Sequence, residues 1–405
     1  MRILYVTGHY PPDLTSGATM QIRRTAELVA AMGHDVAVLA GSVFGGLDDG
    51  ETRTEHVGGV TVTWIGTAER VDQRADGNWQ NPLAGSETAA MLARWRPDVV
   101  HAHVLQTLGV DPVAEVVSAG LPVIVTMHDF WWWCARLFLV DRDMRPCAVD
   151  TARSACDCAL TAAWRLERAV RLRRVLDGVD HVLVPSDVVR AAVITNGLAP
   201  ERVDVDENDF PTASPAAPGD VERHHGDVRF VYAGGDHAIK GRDVVLAAAA
   251  HLARTSGWRL TTYGIPERPR RRWQRRPRGR VDRRPIYRAE DVGDVFGLAD
   301  VLLLPSIARE SYSMLAREAL GCGVAVVTSD CLGPTEVVEH GRNGLIVPTG
   351  DDEALADAMR TLINDRALLD RLRRAARSAP PRRRDPVEHA ASLVERYQRL
   401  LSAHR

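Results

Sequence analysis

Short, nearly continuous apolar runs recur along the chain, separated by longer stretches in which apolar residues return every three or four positions. In the first half the runs predict strands at Arg2 to Thr7, Asp35 to Leu39, Val60 to Ile65, Asp98 to His103, Pro122 to Met127, His181 to Val184 and Arg202 to Asp206. Between them the helical period covers Ala18 to Met32, stopped by Gly33, then Thr88 to Trp95, Thr107 to Ala119 and Thr161 to Leu176. Apolar strands separated by helices belong to a parallel sheet covered on both sides. The alternation breaks at Phe210 to Asp227, FPTASPAAPGDVERHHGD, whose Pro, Ala and Gly content marks a linker and its flank. It resumes with a strand at Val228 to Ala233, a helix at Arg242 to Ala253 and a strand at Arg259 to Tyr263. Helices at Asp352 to Ile363 and roughly Pro386 to Leu401 close the chain. The expected fold class is α/β, with a first doubly wound, Rossmann-like domain over 1–207 and a second over 208–385. A helix at 386–405 is expected to pack back toward the first domain. Two such domains facing one another make a cleft, the default place for a ligand.

The stretch Val301 to Ser329, VLLLPSIARESYSMLAREALGCGVAVVTS, joins this architecture to chemistry. It reads as a strand (Val301 to Leu304), a loop carrying Glu310, a helix starting near Ser313, and a second strand at Val324 to Val327. The loop lies at the carboxyl end of a strand, where open parallel sheets bind ligands. The free N–H groups of Ser313, Met314 and Leu315, with the positive end of the helix dipole, would hold a phosphate. Glu318 lies about 7.5 Å further along the axis and could accept from hydroxyls beside that phosphate; Glu310 could meet hydroxyls on the other side. Two acids flanking a phosphate suit a nucleotide-sugar, which is ribose, diphosphate and hexose in sequence. The plainer alternative makes Glu310 a solvated loop acid and pairs Glu318 with Arg317 or Arg309 on an exposed face.

Three other loops stand at strand ends. HYPPDLTSGAT, residues 9–19, puts Gly17 just before a helix; GGDHAIKG, residues 234–241, puts Lys240 beside Gly241 at a helix start, within reach of a phosphate; MHD, residues 127–129, puts His128 at the end of an apolar strand. Each also has an ordinary reading, as a βα turn, a surface lysine and a structural histidine. With 405 residues, 45% of them hydrophobic, the chain has material for two cores. Lys plus Arg number 51 and Asp plus Glu 53, so the formal charge of -2 gives no global reason to expect a nucleic acid partner. No apolar window reaches the roughly 20 residues of a membrane span, and MRILYVTGHYPP reads as a strand rather than a leader. The expected location is therefore cytoplasmic, with a peripheral contact at the inner membrane face left open.

Several segments together resemble the family 4 glycosyltransferases, retaining enzymes of the GT-B fold. They are ILYVTGHYPP with Gly17, AAMGHDVAVLA, RPDVVHAHV, VIVTMHDFWWWC, VLVPSDVVR, YAGGDHAIKG, and ADVLLLPSIARESYSMLAREALGCGVAVVTSD followed by HGRNGLIVPTGD. The resemblance implies a nucleoside-diphosphate-sugar donor, with Glu318 on the donor ribose and Glu310 on the hydroxyls of the transferred sugar. Gly234, Lys240 and the backbone of Ser311, Tyr312, Ser313, Met314 and Leu315 would hold the diphosphate, with Gly17 close by and His128 facing the sugar. Positive groups would stabilise the departing diphosphate as an oxocarbenium-like centre forms, so the chemistry demands no metal. Two departures stand out. Gly235 occupies the position where the family usually places a second phosphate cation, an arginine, so Lys240 acts alone or a residue of the basic stretch substitutes. The usual Phe-Gly after the first acid is Tyr312 and Ser313.

Cys134, Cys147, Cys156 and Cys158 fall within an insertion at 131–160, spaced C-x12-C-x8-C-x-C, after the aromatic run Trp131 to Trp133. Four thiolates could close a structural zinc site, carry an iron–sulfur cluster or remain thiols. Cys322 and Cys331 read as core and loop thiols. ERPRRRWQRRPRGRVDRR, residues 267–284, reads as a solvated basic loop, with an anionic partner or membrane surface as the alternative. Three functions compete: a retaining hexosyltransferase, a nucleotide-sugar epimerase of the same architecture, and a binding protein with a degenerate donor site. The acceptor and the oligomeric state are not legible.

Overall fold

The computed structural model describes residues 1–13, 16–67, 79–150, 158, 161–209, 226–266, 280–288 and 291–404. The chain divides into two compact units, one of Met1–Asp141, Ala148–Pro211 and Arg384–Arg405, the other of Arg142–Cys147 and Thr212–Arg383.

Among the described residues, the first unit has eight strands: β1 (Arg2–Thr7), β2 (Asp35–Ser42), β3 (Thr52–Val57), β4 (Val60–Gly66), β5 (Val99–Ala102), β6 (Val123–Thr126), β7 (His181–Val184) and β8 (Val203–Val205). They form one sheet in the order β3-β4-β2-β1-β5-β6-β7-β8, parallel except for β3, which pairs antiparallel with β4. Its helices before the second unit are α1 (Gly17–Ala31), α2 (Pro82–Trp95), α3 (Asp111–Ser118), α4 (Ala162–Asp177) and α5 (Asp187–Thr195). The central strands are buried along their length and pair without slippage, Leu4 opposite Ala37 on one side and Val100 on the other. β3 is the one strand of this sheet that the apolar pattern does not reveal. It is an exposed edge of residues TRTEHV, and its pairing comes from the hairpin turn rather than from burial.

Among the described residues, the second unit has six strands: β9 (Val228–Tyr232), β10 (Trp258–Tyr263), β11 (Arg280–Arg284), β12 (Val301–Leu304), β13 (Ala325–Ser329) and β14 (Gly344–Val347). Their order is β11-β10-β9-β12-β13-β14, and all are parallel. Its helices are α6 (Arg242–His251), α7 (Val292–Gly297), α8 (Met314–Gly321), α9 (Asp352–Asn364) and α10 (Arg366–Ser378). Side chains alternate between the two faces. Phe230, Tyr232, Val301 and Leu303 enter the core against α6 and α9, while Val231, Leu302 and Leu304 enter the core against α7 and α8. The order reverses direction between β9 and β12, and the crevice at such a switch point is where open α/β sheets bind ligands. The end of the basic stretch, expected as solvated loop, is β11. It pairs with β10 from Arg259↔Arg280 to Tyr263↔Arg284, and as an edge strand it can carry charged residues. Residues 267–279 of that stretch lie outside the described residues, as do residues 210–225 of the linker.

The last helix, α11 (Pro386–Ala403), belongs to the first unit. It is capped by Asp385, whose carboxylate accepts from the N–H groups of Val387 and Glu388. Ala390, Leu393 and Tyr397, spaced on one helical face, join Ile3, Tyr5, Ile22 and Ala26 in that unit's core. Among the described residues, no helix is long and apolar enough to cross a membrane.

Candidate functional site

At the switch point of the second unit, the loops after β9 and β12 are built against each other. The N–H groups of Ile307 and Ala308 both donate to the carbonyl of Ile239, at 2.9 and 3.0 Å. Gly241 permits this approach: its φ is +80°, and a Cβ there would stand 1.9 Å from the carbonyl oxygen of Pro305. Gly241→Ala should therefore lower stability by about 2–3 kcal/mol, through left-handed strain and overpacking. Denaturant midpoints would measure it, and a change within error would refute the packing argument.

These loops bring two predicted residues together. Lys240 Nζ donates to Glu310 Oε1 at 3.0 Å, and the Ser306 hydroxyl donates to the same oxygen. The Glu310 carboxylate is nearly sealed from solvent, whereas Lys240 is 38% exposed and keeps an open side. Burial pushes the Glu310 carboxyl up, but the Lys240 ammonium and the Ser306 hydroxyl outweigh it, and the net shift is downward. The backbone of Glu310 is fixed as well: its N–H donates to Cys331 and its carbonyl accepts from Gly333, both at 2.8 Å. Cys331 is a buried thiol pushed up to about 12.

The helix start is as expected, with one strained residue. Ser313 is the N-cap of α8 at φ 60°, ψ 86°, a left-handed conformation that a glycine would take without cost. Tyr312 is buried under the Arg317 guanidinium, which stands 3.5 Å from the ring centroid. Arg317 then pairs with Glu336 at 3.0 Å, and Arg309 donates to the carbonyl of Asp330 at 2.8 Å, so both arginines considered as partners for Glu318 are engaged elsewhere. Glu318 instead lies where its charge acts on Tyr287, whose phenol is raised first by burial and then by that carboxylate. Tyr287 meets Tyr263 edge-on, with ring centroids 5.2 Å apart.

In the loop after β9, a Cβ on Gly234 would come within 2.5 Å of Tyr232 Oη, and the Tyr232 hydroxyl donates to the carbonyl of Gly235 at 3.2 Å. Gly235 itself has φ +67°.

The first unit presents its own group. Gly17 is the first residue of α1, whose N-cap Ser16 forms a reciprocal capping box with Thr19. His128 follows β6, and its Nε2 lies 3.1 Å from His103 Nδ1, with the two rings stacked. His101 stands beside His103 and hydrogen-bonds Tyr397 Oη of α11 at 2.6 Å and Thr126 Oγ1 at 2.7 Å. Burial lowers His128 to about 4 and His101 to about 3, and pushes His103 down as well, so all three are neutral imidazoles near pH 7. Burial raises Asp129 to about 6, against the N–H of Trp131 that it accepts at 2.8 Å. His101 and His103 were not singled out from the sequence. The signal was the H-x-H spacing at the end of β5, which in extended chain puts both rings on one side.

Cys134, Cys147 and Cys158 are half-buried, and Cys156 lies outside the described residues. Among the described residues, no group of three or more His, Cys, Asp or Glu side chains is placed to hold a metal.

Residues 16–209 match a family model described as a glycosyl transferase 4-like domain, and residues 227–365 match one described as glycosyl transferases group 1. The chain is 27% identical to the glycogen synthase of Mycobacterium tuberculosis over 404 aligned positions, covering 93% of this chain and 89% of that protein. It is 28% identical to the D-inositol 3-phosphate glycosyltransferase of Pseudarthrobacter chlorophenolicus over 225 positions, about half of each. Similar solved structures include sucrose-phosphate synthase from Thermosynechococcus elongatus, with a TM-score of 0.66, 18% identity and 99% of each chain covered. Anabaena HepE in complex with UDP-glucose gives 0.66 at 17% identity, over 98% of this chain and all of that one. With both halves matched and two Rossmann-like sheets of the same architecture, the chain belongs to the glycosyltransferases of the GT-B fold.

Proposed function

We propose that the chain transfers a hexose, with retention of anomeric configuration, from a nucleoside-diphosphate sugar to a hydroxyl acceptor. The observation that carries this reading is the construction of the switch point. A half-open ammonium, Lys240, is fixed beside the start of α8, where the backbone N–H groups favour an anion. Glu318 stands further along the same helix, near enough for its charge to act on the Tyr287 phenol, and the Tyr287 ring meets that of Tyr263 edge-on, so an acid and an aromatic surface are both at hand for a nucleoside. The HepE structure with UDP-glucose supports the donor class. In the reaction, the bond between the sugar C1 and the diphosphate oxygen breaks, the acceptor oxygen bonds to C1, and the hydroxyl proton leaves with the phosphate. Lys240 and the α8 amides are assigned to the charge growing on the leaving diphosphate, Glu318 to the ribose and Glu310 to the sugar hydroxyls. His128 is assigned to the transferred sugar and Gly17 to the diphosphate, on the resemblance of their segments. The paired-carboxylate scheme of retaining hydrolases is not applied to Glu310.

The test is ligand-induced thermal stabilisation with UDP, ADP, GDP and their glucose and mannose conjugates. At least one should stabilise the protein, and Glu318→Ala should weaken that ligand by about tenfold, the worth of hydrogen bonds to a charged group. If no nucleotide stabilises the wild type, the donor reading falls. The anomeric configuration of the product, read by proton NMR, decides retention.

A further inference from the structure

We propose that Arg284 supplies the second cation for the donor diphosphate, which Gly235 cannot provide; this rests on reading the second unit as a nucleotide-sugar site. A diphosphate carries more than one negative charge, and Lys240 is already matched by Glu310, so the pair adds no net positive charge. Among the described residues, most arginines around these loops are committed. Arg242 is forked onto Asp243 and also holds Asp236 at 2.8 Å, Arg317 is held by Glu336, and Arg309 and Arg283 donate to the carbonyls of Asp330 and Pro266. Arg284 is exposed, and among the described residues its side chain makes no hydrogen bond or ion pair.

Its position is not that of an ordinary surface arginine. The carbonyl of Arg284 accepts from the N–H of Gly264 at 2.9 Å, which fixes its backbone against the loop after β10. That loop touches the loop after β9: a Cβ on Gly264 would lie only 3.0 Å from the Cα of Gly235. Arg284 therefore starts one loop away from Gly235 and lines a pocket of about 550 Å³ with Gly235, Asp236, Gly264, Arg283 and Ile286. The pocket has the size of small-molecule sites. Arg242 compensates Asp236, the acid among the described residues of its wall. Among the described residues that line it, the uncommitted charge is the guanidinium of Arg284, whose planar fork suits two phosphate oxygens at once.

The experiment takes whichever of UDP, ADP and GDP binds the wild type, and measures that nucleotide, its parent nucleoside and inorganic pyrophosphate against wild type, Arg284→Gln and Arg284→Lys. Arg284→Gln should weaken the diphosphate and pyrophosphate about tenfold or more, leave the nucleoside within about twofold, and flatten the salt dependence of binding. Arg284→Lys should recover part of the loss. Equal weakening of nucleoside and nucleotide would overturn the assignment in favour of a contact to the base, and unchanged diphosphate affinity would overturn it outright. A wild type that binds none of the three nucleotides would instead remove the donor reading itself, a result distinct from either.

Discussion

Replacing His389 by alanine lowers the stability of the first unit by about 3–5 kcal/mol, the usual cost of breaking a buried charge pair from one side. Its two ring nitrogens lie 2.6 Å from Asp209 Oδ2 and 3.0 Å from Asp206 Oδ2, and only a protonated imidazole can donate to both carboxylates. Burial opposes that charge, but the hydrogen bonds His389 donates to Asp206 and Asp209 outweigh it and raise the pKa. Asp206 is likewise raised by burial and drawn further down by His389 and Arg384, ending well below the usual carboxylate range. Among the described residues, alanine would leave two buried carboxylates with Arg384 and Arg24 as their cations. Because His389 sits on α11 and both acids follow β8, the same substitution should loosen the seating of that helix, seen as faster amide exchange across Pro386–Ala403. The pH dependence follows from the directions of the two shifts. The raised histidine contributes fully below its unfolded value and is lost as pH climbs through its higher folded value. The depressed Asp206 contributes above the ordinary carboxylate range and is lost as pH falls through its lower folded value. Wild-type stability should decline on the alkaline side of neutrality by a component that His389→Gln lacks. Parallel stability profiles for the two proteins above pH 6.5 would mean that the imidazole is not charged in the folded state.

The strands of both sheets' centres were legible because a strand buried on both faces leaves a run such as VLLL at 301–304, and the loop after that run could be placed at a strand's carboxyl end, whereas the strand order that makes it a switch point could not. The exposed edges β3 and β11 were not, since an edge strand satisfies its backbone on one side and needs no apolar residues. For the site, Lys240 and Glu310 could be singled out one at a time from loop position, and Glu318 from its place on the helix that follows. That Lys240 and Glu310 form a pair spanning 70 positions in sequence could not, because it depends on Gly241 letting two loops close on each other. Nor could the His101 to Tyr397 contact, made across 296 positions by a helix whose own pattern indicates only that it is amphipathic. Ser313 is the opposite case: its departure from glycine was visible in the sequence, and its left-handed φ gives that departure a conformational cost.

Lys240→Ala should reduce turnover by about 10²- to 10³-fold, the effect of deleting one group that stabilises charge growing in a transition state. Lys240 holds two roles at once. Its open side faces the growing charge of the leaving diphosphate under the proposed mechanism, and its other side neutralises a carboxylate that the protein has otherwise buried. Removing the ammonium leaves Glu310 with the Ser306 hydroxyl, and burial, the largest influence on that carboxyl, then raises its pKa instead of being outweighed. In the wild type the carboxyl is depressed, so it is ionised through neutrality and its contribution to stability is lost only on acidification through the lowered value. In Lys240→Ala that contribution reverses sign, and the acid limb of the pH–rate profile should move upward toward neutrality. The two consequences separate the roles. A large fall in kcat with an unmoved acid limb would leave Lys240 acting on the diphosphate alone. A shifted limb with kcat within about threefold of wild type at its optimum would make Lys240 a structural partner of Glu310 and remove it from the transition state, because deletion of a stabilising group there costs far more than threefold.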